Sequence, residues 1–396
     1  MPILSTAQSY SHMIRSRHGI GLTALFVLLV LFVLSLLAAC ASPSSNVAQS
    51  ELVYIGSQER HIHALRLDTS TGKLTNIGPV ADGLRPTWVE AHPQQPVLYA
   101  VDDDNAREGS VLAYAVDRAS GALTRMNAIA TEGTGTTNLH IDMPSMTVLA
   151  ANYGSGSVSS VAIDADGNPT ALVSTVTETG SGPNRRQASA HAHNAVVDPS
   201  GRYVLVPDFG ADRVFVYRFD RATRALSAQD PENSFIAPPG SGPRHIVFSA
   251  NGRFAYLITE LSAQVMMFRW DASQGRLTLM QTLPITSAAF QGVKSGAEIA
   301  MSHDARFVYV ANRAENVLIA YRVDADSGEL AELQRVSSGG DKPWGFAIDA
   351  SGKWMIVANQ RDGKVIVFGI DQASGMLSGA GQSADIASPV SIAFVR

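Results

Sequence analysis

The sequence predicts an all-β fold, a seven-bladed β-propeller, and three observations lead to it. A short turn that begins with Asp and ends with Leu recurs at intervals of 47 to 56 residues. Apolar runs of β type lie between these turns, and no long stretch after residue 50 has the periodicity of an amphipathic helix. The two chain ends carry complementary pieces of one further repeat. A period of about 50 residues that joins short strands is typical of propellers, whose blades have four strands each.

The Asp turns occur seven times and most contain a Gly before the Leu, as in DTSTGKL and DRASGAL. Their first residues are Asp68, Asp117, Asp164, Asp220, Asp271, Asp324 and Asp371. Each repeat also holds two apolar runs separated by a Gly turn, most clearly at 193–209, 244–260 and 344–360. Such pairs are the signal of a β-hairpin, and a third apolar run follows in most repeats.

The chain ends predict how the ring closes. Residues 51–56 look like the second strand of a blade, and residues 389–395 look like a first strand. Together they complete a seventh blade, so that no sheet edge is left exposed. We therefore expect the propeller to span 51–396.

Composition agrees with a large buried body and argues against one class of partner. The chain is 45% hydrophobic, with 33 Gly and 18 Pro, as many tight turns require. Without residues 1–39, which carry Arg15 and Arg17, 28 basic residues face 35 acidic ones, a net charge of −7. Nucleic-acid binders carry basic surfaces, so we expect no nucleic-acid partner.

The N-terminus predicts export and a lipid anchor. Two arginines precede residues 20–39, an apolar stretch that could span a bilayer as an uncleaved helix. Its end, LAAC at 37–40, resembles the lipobox of bacterial lipoproteins, which favours a signal peptide over 1–39 and a lipidated Cys40. A plain signal anchor is the alternative. Residues 40–50 then form a flexible tether in the cell envelope, facing the periplasm, and Ala41 after the cysteine favours the outer membrane.

Rotation between blades brings equivalent residues together at the channel axis. Counting back from each Gly turn to the start of the inner strand gives Thr87, Asn138, His193, Arg244, Ala297, Trp344 and Val390. The ends of the second strands give Asp103, Tyr153, Phe209, Glu260, Arg313 and Gln360. From these lists, His193, Glu260, Arg244 and Arg313 are predicted at one end of the channel: an imidazole, a carboxylate and two guanidiniums.

This set suits hydrolysis or isomerisation of a small anionic ester. The imidazole of His193 can take a proton near neutral pH, and the carboxylate of Glu260 can orient that base or a water. Arginine side chains bind carboxylate or phosphate groups through two hydrogen bonds and can stabilise a tetrahedral intermediate. The alternative is that these residues only line a wet, polar channel.

Four segments resemble the 6-phosphogluconolactonase-type lactonases, seven-bladed propellers that include the fungal carboxy-cis,cis-muconate cyclases. They are 180–220, 241–268, 309–324 and 344–360. The resemblance covers about residues 51–396 and implies that His193 is the catalytic imidazole and Glu260 its acidic partner. It implies that Arg244 and Arg313 grip the anionic group; we add His245 and Gln360 to the substrate-binding residues. The sequence departs from the family pattern at 136–139 and at Ala300, which leaves the substrate open.

We therefore expect a lipid-anchored lactonase that opens a small sugar lactone without a metal or other cofactor, as a monomer or weak dimer. Because 6-phosphogluconolactone arises in the cytoplasm, an unphosphorylated lactone fits the periplasm better. The alternative is a non-catalytic propeller that binds a protein or polysaccharide of the envelope, since propellers serve both roles.

Other motifs predict no site. His61 and His63 alternate on a strand without a third metal ligand at a usable spacing, and His191 is read as a polar loop residue. The acidic run 102–104 lacks the spacing of a calcium loop. The Gly-rich segments 133–137 and 154–158 lack the Lys of a phosphate loop and are read as turns.

Overall fold

The computed structural model describes residues 50–82, 85–227 and 233–395, and their regular structure is almost entirely β-strand. The strands form seven sheets, each built on four strands, which confirms the predicted all-β, seven-bladed propeller. A short 3-10 helix, Met143–Ser145, follows one inner strand. Among the described residues, no helix is long and apolar enough to cross a membrane. The predicted signal peptide, Cys40 and nearly all of the tether fall outside these residues.

The strands are numbered along the chain and grouped by blade. Blade 1 contains β1 (Ser50–Ser57), β2 (His61–Asp68), β3 (Leu74–Asp82) and β29 (Pro389–Val395); blade 2 contains β4 (Val89–Ala91), β5 (Val97–Val101), β6 (Glu108–Val116) and β7 (Leu123–Thr134); blade 3 contains β8 (Thr136–Asp142), β9 (Thr147–Asn152), β10 (Ser157–Ile163) and β11 (Pro169–Thr177); blade 4 contains β12 (Val196–Val197), β13 (Tyr203–Asp208), β14 (Arg213–Asp220), β15 (Ala225–Leu226) and β16 (Phe235–Ile236); blade 5 contains β17 (Pro243–Phe248), β18 (Phe254–Thr259), β19 (Gln264–Asp271) and β20 (Arg276–Pro284); blade 6 contains β21 (Gly296–Met301), β22 (Phe307–Asn312), β23 (Val317–Val323) and β24 (Leu330–Ser337); blade 7 contains β25 (Pro343–Ile348), β26 (Trp354–Asn359), β27 (Lys364–Ile370) and β28 (Leu377–Asp385).

Both chain ends build blade 1, as the sequence predicts. The C-terminal strand β29 is the inner strand and pairs antiparallel with β1, with Leu52 opposite Val395 and Ile55 opposite Ile392. The ring therefore closes through main-chain hydrogen bonds between the two ends of the propeller, and β1 lies between β29 and β2 with both of its edges paired.

Burial falls from the second strand of a blade to its outer strand. Every residue of β5 is buried, whereas exposed and partly buried residues dominate β28. Apolar layers fill the space between neighbouring blades; one packs Leu205 of blade 4 against Leu257 and Met266 of blade 5. Each such side chain stabilises the fold by roughly 1.5–3 kcal/mol when fully removed from water.

The recurring Asp turns join the blades to one another. In blade 1, Asp68 Oδ1 accepts hydrogen bonds from the main-chain N–H groups of Ser70 and Thr71 at 2.8 and 3.1 Å. In four blades the hydroxyl of a buried second-strand tyrosine donates to the Gly carbonyl of the next blade's turn: Tyr54 to Gly121, Tyr99 to Gly167, Tyr256 to Gly328 and Tyr309 to Gly375. The repeated motif is thus a contact between blades as well as a turn.

The inner strands carry β-bulges at the end where the predicted site residues lie. The pairing register shifts between Pro243 and His245 in β17 and between Gly296 and Ile299 in β21. A bulge re-aims side chains locally, so consecutive residues can face the same side of a strand. As a result, Arg244 and His245 both line the channel.

Candidate active site

A small cavity lies on the propeller axis, where the inner strands begin. We call it the axial cavity, and all seven blades or the loops before them contribute to its wall: Gln58, Thr87, Trp88, Asp103, Thr137, His193, Arg244, His245, Glu298, Trp344 and Val390. Its volume is about 40 Å³. That is room for a water molecule or two, because one water needs about 10–15 Å³ of such space.

His193 is a buried imidazole with a free nitrogen. It lies just before β12, where its main-chain N–H donates to the carbonyl of Pro207 at 3.0 Å, and it is 8% exposed. Among the described residues, its Nδ1 has no hydrogen-bond partner. Burial lowers the pKa of His193 well below its usual value, and the charges of Arg244 and His245 lower it further. The ring is therefore neutral at pH 7 and can accept a proton.

Glu260 is the centre of an arginine cluster. It follows β18, and its carboxylate contacts Arg186 Nη1 at 2.6 Å, Arg313 Nη2 at 2.8 Å and Arg244 Nε at 3.5 Å. Burial alone would raise the pKa of Glu260, but the three arginines outweigh it and lower the pKa to about 2. Glu260 is thus an anion at physiological pH, and its ion pairs go to arginines rather than to His193.

Arg244 and Arg313 are buried cations with unused donors. Arg244 Nη1 donates to the carbonyl of Ala297 at 2.5 Å, and Arg313 Nη2 donates to that of Gly296 at 2.8 Å. The Nε–H groups of both arginines make no hydrogen bond to any described residue; Arg244 Nε approaches Glu260 only as an ion pair. Burial, with the charge of Arg313, lowers the pKa of Arg244 to about 10, so it stays protonated at pH 7. Two buried donors are therefore left unsatisfied among the described residues.

His245 forms a carboxylate–imidazole pair beside His193. Its Nδ1 lies 2.7 Å from Oε1 of Glu298, and its ring centroid is 5.1 Å from that of His193 and 5.5 Å from that of Trp88. Burial lowers the pKa of His245, while the Glu298 charge opposes that shift. Such a partner fixes the orientation of an imidazole and its tautomer.

Sequence reasoning missed Glu298 and Trp88, and for Glu298 the bulge in β21 explains why. Counting one inward residue per blade selected Ala297 and Thr87, and the neighbours of these residues supply the larger side chains in the cavity. Arg186 was also missed, because it lies on the loop before blade 4 and outside any strand repeat. Glu298 could have been found from the sequence, because it is an acidic residue directly after Ala297, which the count from the Gly turns had selected.

Gln360 occupies a more peripheral place. Its Nε2 donates to Oε1 of Gln58 at 2.9 Å, and Gln58 lines the axial cavity. Gln360 is therefore one side chain removed from the wall, whereas the other predicted residues belong to the cavity or to the arginine cluster.

A second, wider space adjoins the axial cavity. This outer cleft has a volume of about 790 Å³, and Arg186, Glu260, Arg313 and Trp344 form part of its wall. Trp344 lines both spaces, and the guanidinium carbon of Arg313 lies 4.3 Å from its ring centroid. Ligand sites commonly have volumes of about 300–1,000 Å³, so the outer cleft can hold a sugar ring.

The motifs set aside in the sequence make other contacts. The rings of His61 and His63 meet edge to face at 6.1 Å. Asp102 and Asp104 pair with Arg107 at 3.2 and 2.8 Å. Within the described part of the chain, no group of three or more His, Cys, Asp or Glu residues could hold a metal ion.

Comparisons with known proteins identify the family of the propeller. Residues 52–394 match the family model for seven-bladed β-propeller lactonases. The chain is 31% identical to the 6-phosphogluconolactonase of Bacillus subtilis over 335 residues, which cover 85% of this chain and 94% of that protein. It is 30% identical to the 6-phosphogluconolactonase of Klebsiella pneumoniae, covering 83% and 93% of the two chains.

A solved structure gives the same result. The periplasmic gluconolactonase of Pseudomonas aeruginosa superimposes with a TM-score of 0.81 at 35% identity, covering 88% of this chain and 99% of that one. The match extends over nearly the whole propeller, including every blade that supplies the axial cavity. This chain belongs to the family of seven-bladed β-propeller lactonases.

Proposed function

We propose that this protein hydrolyses a small sugar lactone to the open hydroxy acid, in the cell envelope. One observation carries the proposal: a buried neutral imidazole with an unpartnered Nδ1 lies beside two guanidiniums with unpartnered Nε–H groups. A general base next to donors for an oxyanion is what ester hydrolysis requires. The names of the relatives, a gluconolactonase and 6-phosphogluconolactonases, support a sugar lactone as substrate.

The two adjoining spaces suggest how the substrate sits. The lactone ring lies in the outer cleft against Trp344, with its carbonyl at the junction of the two spaces. The attacking water occupies the axial cavity, which is sized for water. The reacting carbon then lies between the base and the guanidiniums, an arrangement that lowers the entropy cost of the reaction.

In the first step, the imidazole of His193 takes a proton from the water as the water oxygen attacks the carbonyl carbon. The N–H groups of Arg244 and Arg313 stabilise the resulting oxyanion. The bond from the carbonyl carbon to the ring oxygen then breaks, and His193 returns the proton to that oxygen. The product is a hydroxy acid; its carboxyl group loses a proton to solvent, and the resulting carboxylate pairs with the arginines before release.

We propose that Glu260 acts through the arginines. As a fixed anion it holds three guanidiniums of like charge together, so they are positioned before substrate arrives. In the same scheme, Glu298 fixes the His245 ring against that of His193. Both carboxylates are then positioning residues, and proton transfer falls to His193.

Proton release from glucono-1,5-lactone in a pH-stat tests the activity, with the spontaneous rate subtracted. We expect the wild type to accelerate ring opening and His193→Ala to lower kcat by about a hundredfold or more. If neither gluconolactone nor its 6-phosphate is opened faster than spontaneously, the lactonase proposal is wrong, and a non-catalytic propeller that binds an envelope component takes its place.

We also propose that Cys40 carries a lipid that anchors the propeller to a membrane, facing the periplasm. The LAAC segment at 37–40 and the periplasmic relative support this proposal. Cys40→Ser should leave an unprocessed precursor without fatty-acid label. A serine variant that is processed and labelled like the wild type would refute the anchor.

A further inference from the structure

The wall of the outer cleft beyond the arginine cluster is strongly cationic. Six cationic residues line the cleft: Arg185, Arg186, Lys294, Arg313, Lys342 and Arg361. Of the carboxylates that the structure describes, two lie in the same wall, Glu260 and Asp341. The cleft thus has an excess of four positive charges, on a chain whose formal net charge is −5. A charge excess of this kind attracts and retains anions.

Lys342, which lines the outer cleft, has a backbone conformation that is unfavourable for lysine. Its φ of 62° lies in the left-handed region, which is unfavourable for a side chain such as lysine. The corresponding residue just before the inner strand is Gly135 in blade 3, Gly242 in blade 5 and Ser388 in blade 1, all with positive φ. Glycine would fit this position at a lower conformational cost, so the sequence places a cation here at the expense of some backbone strain.

The cations of the cleft repel one another. Burial lowers the pKa of Lys342, and the charges of Arg361 and Arg313 lower it further. Asp341 compensates Arg361 at 3.1 Å, and Glu260 is shared among three arginines. A bound anion would relieve the repulsion that remains, which favours binding of a negatively charged ligand.

The cations are spread around the cleft instead of meeting at one point. Arg185 and Arg186 precede blade 4, Lys294 lies between blades 5 and 6, Lys342 precedes blade 7, and Arg361 lies within blade 7. The cleft, at about 790 Å³, also exceeds what a single sugar ring requires. Spread charge and spare volume both fit an extended ligand with several negative charges.

We propose that the outer cleft binds an acidic sugar chain whose terminal lactone reaches the axial cavity. The proposal rests on the lactonase function and assigns its substrate class: an oligosaccharide lactone with carboxylate or phosphate groups on the units beyond the lactone. Trp344, shared by the two spaces, marks the boundary between the ring that reacts and the chain that is recognised.

Calorimetry on the full-length protein in detergent tests the cleft without catalysis. The probes are tetragalacturonate, the neutral maltotetraose and inorganic phosphate. We expect tetragalacturonate to bind, increasingly weakly as salt is raised, and maltotetraose not to bind. Lys342→Gly should weaken tetragalacturonate binding by about fivefold, the upper end for one partly exposed ion pair. Ser388→Gly makes the same backbone change in blade 1 without a loss of charge, and it should bind like the wild type.

The outcomes separate the two proposals. If tetragalacturonate binds through Lys342 but no lactone is opened, the cleft proposal stands as an acidic-glycan site and the lactonase proposal fails. If gluconolactone is opened but tetragalacturonate does not bind, or binds Lys342→Gly equally well, the cleft proposal is overturned. Inorganic phosphate that binds as tightly as tetragalacturonate would also overturn it, because the site would then recognise a single group.

Hydrolysis rates show whether the cleft prefers a sugar chain that carries carboxylate groups or one that carries phosphate groups. Lactones made by oxidising the reducing end of tetragalacturonate and of a phosphorylated oligosaccharide are compared with gluconolactone, and kcat/KM is measured for each. The better of the two acidic substrates identifies a carboxylate or a phosphate as the recognised group. Lys342→Gly should lower the ratio of acidic to neutral kcat/KM, whereas an unchanged ratio for both acids would contradict the proposal.

Discussion

The two ends of the central channel differ in what their histidines do. At the site end, Nδ1 of His193 has no partner among the described residues. At the other end, a distal cavity of about 560 Å³ contains His92 and His303 in its wall. There, His92 Nδ1 accepts from the main-chain N–H groups of Gln94 and Gln95, and His303 Nε2 contacts the carbonyl of Asp349 at 2.7 Å.

The carboxylates of the two ends differ in the same way. Glu260 is held as an anion by three arginines, with a pKa of about 2. Burial raises the pKa of Glu90, in the wall of the distal cavity, to about 7, although a hydrogen bond from Trp88 opposes the shift. In the distal cavity, Nδ1 of His92 is occupied as an acceptor, so its Nε2 carries the proton and has no partner among the described residues. In the axial cavity, it is Nδ1 of His193 that has no partner, and the neighbouring charges are paired. The axial cavity is the smaller of these two spaces, although the outer cleft beside it is larger than the distal cavity.

Replacing Glu260 should produce the largest effect and would sharpen this contrast. Glu260→Gln leaves the buried cations Arg244 and Arg313 without their anion, and we expect the free energy of unfolding to fall by about 3 kcal/mol. The folded pKa of about 2 lies below the ordinary 4.5, so this stabilisation is fully present above pH 4.5 and is lost as pH falls towards 2. Urea unfolding at pH 7 and pH 3 measures it. Equal stability of variant and wild type at pH 7 would contradict the ion-pair account.

Removing Arg313 should come next, with an effect on both binding and turnover. Arg313→Ala deletes a buried cation that we place against the substrate and, more strongly, against the oxyanion, so kcat/KM should fall by about 30-fold, or about 2 kcal/mol. Arg306→Ala, on the exposed surface of the same blade, is the matched control and should behave like the wild type. A loss confined to kcat would show that Arg313 acts only in the transition state.

The Glu298 carboxylate should have a smaller effect, confined to turnover. Glu298→Gln keeps the shape of the side chain but weakens its hold on His245, so kcat should fall by about fivefold while KM is unchanged. Steady-state kinetics with gluconolactone separates the two constants. A rise in KM without loss of kcat would place Glu298 against the substrate instead of behind His245.

The distal end should respond least of all. Glu90→Gln resembles the protonated carboxyl that a pKa of about 7 already favours, so we expect kcat/KM and stability to stay near wild-type values. The same kinetic and urea measurements serve as the check. A loss as large as that of Glu260→Gln would mean that the two ends of the channel act as one unit, and the contrast drawn above would be broken.

The sequence predicted the framework better than the details of the site. Seven Asp turns gave the blade count, and the patterns at 51–56 and 389–395 gave the closure, because both depend on local periodicity. Rotation counting reached His193 and Arg244, which line the same cavity. Glu298 was out of reach of that method, since a β-bulge adds an inward residue that a strict count omits.

Charge relations were beyond the sequence for a different reason. One of the three cations that pair with Glu260 is Arg186, which lies on a loop and is 74 positions away in the chain. The pKa of Glu260 results from the balance between its burial and three neighbouring charges, which only the folded arrangement determines. The basic outer cleft was unforeseen for the same reason, because its cations come from loops of several blades on an acidic chain.

The central claim is that the free nitrogen of His193 is the base, and chemical rescue tests it most directly. His193→Gly removes the ring and leaves a space of its size in the axial cavity. We expect this variant to lose lactonase activity and to regain part of it when imidazole is added, in proportion to the neutral form of the imidazole, with the uncatalysed effect of imidazole subtracted. A folded His193→Gly variant that keeps the wild-type rate, or that gains nothing from imidazole, would contradict the claim.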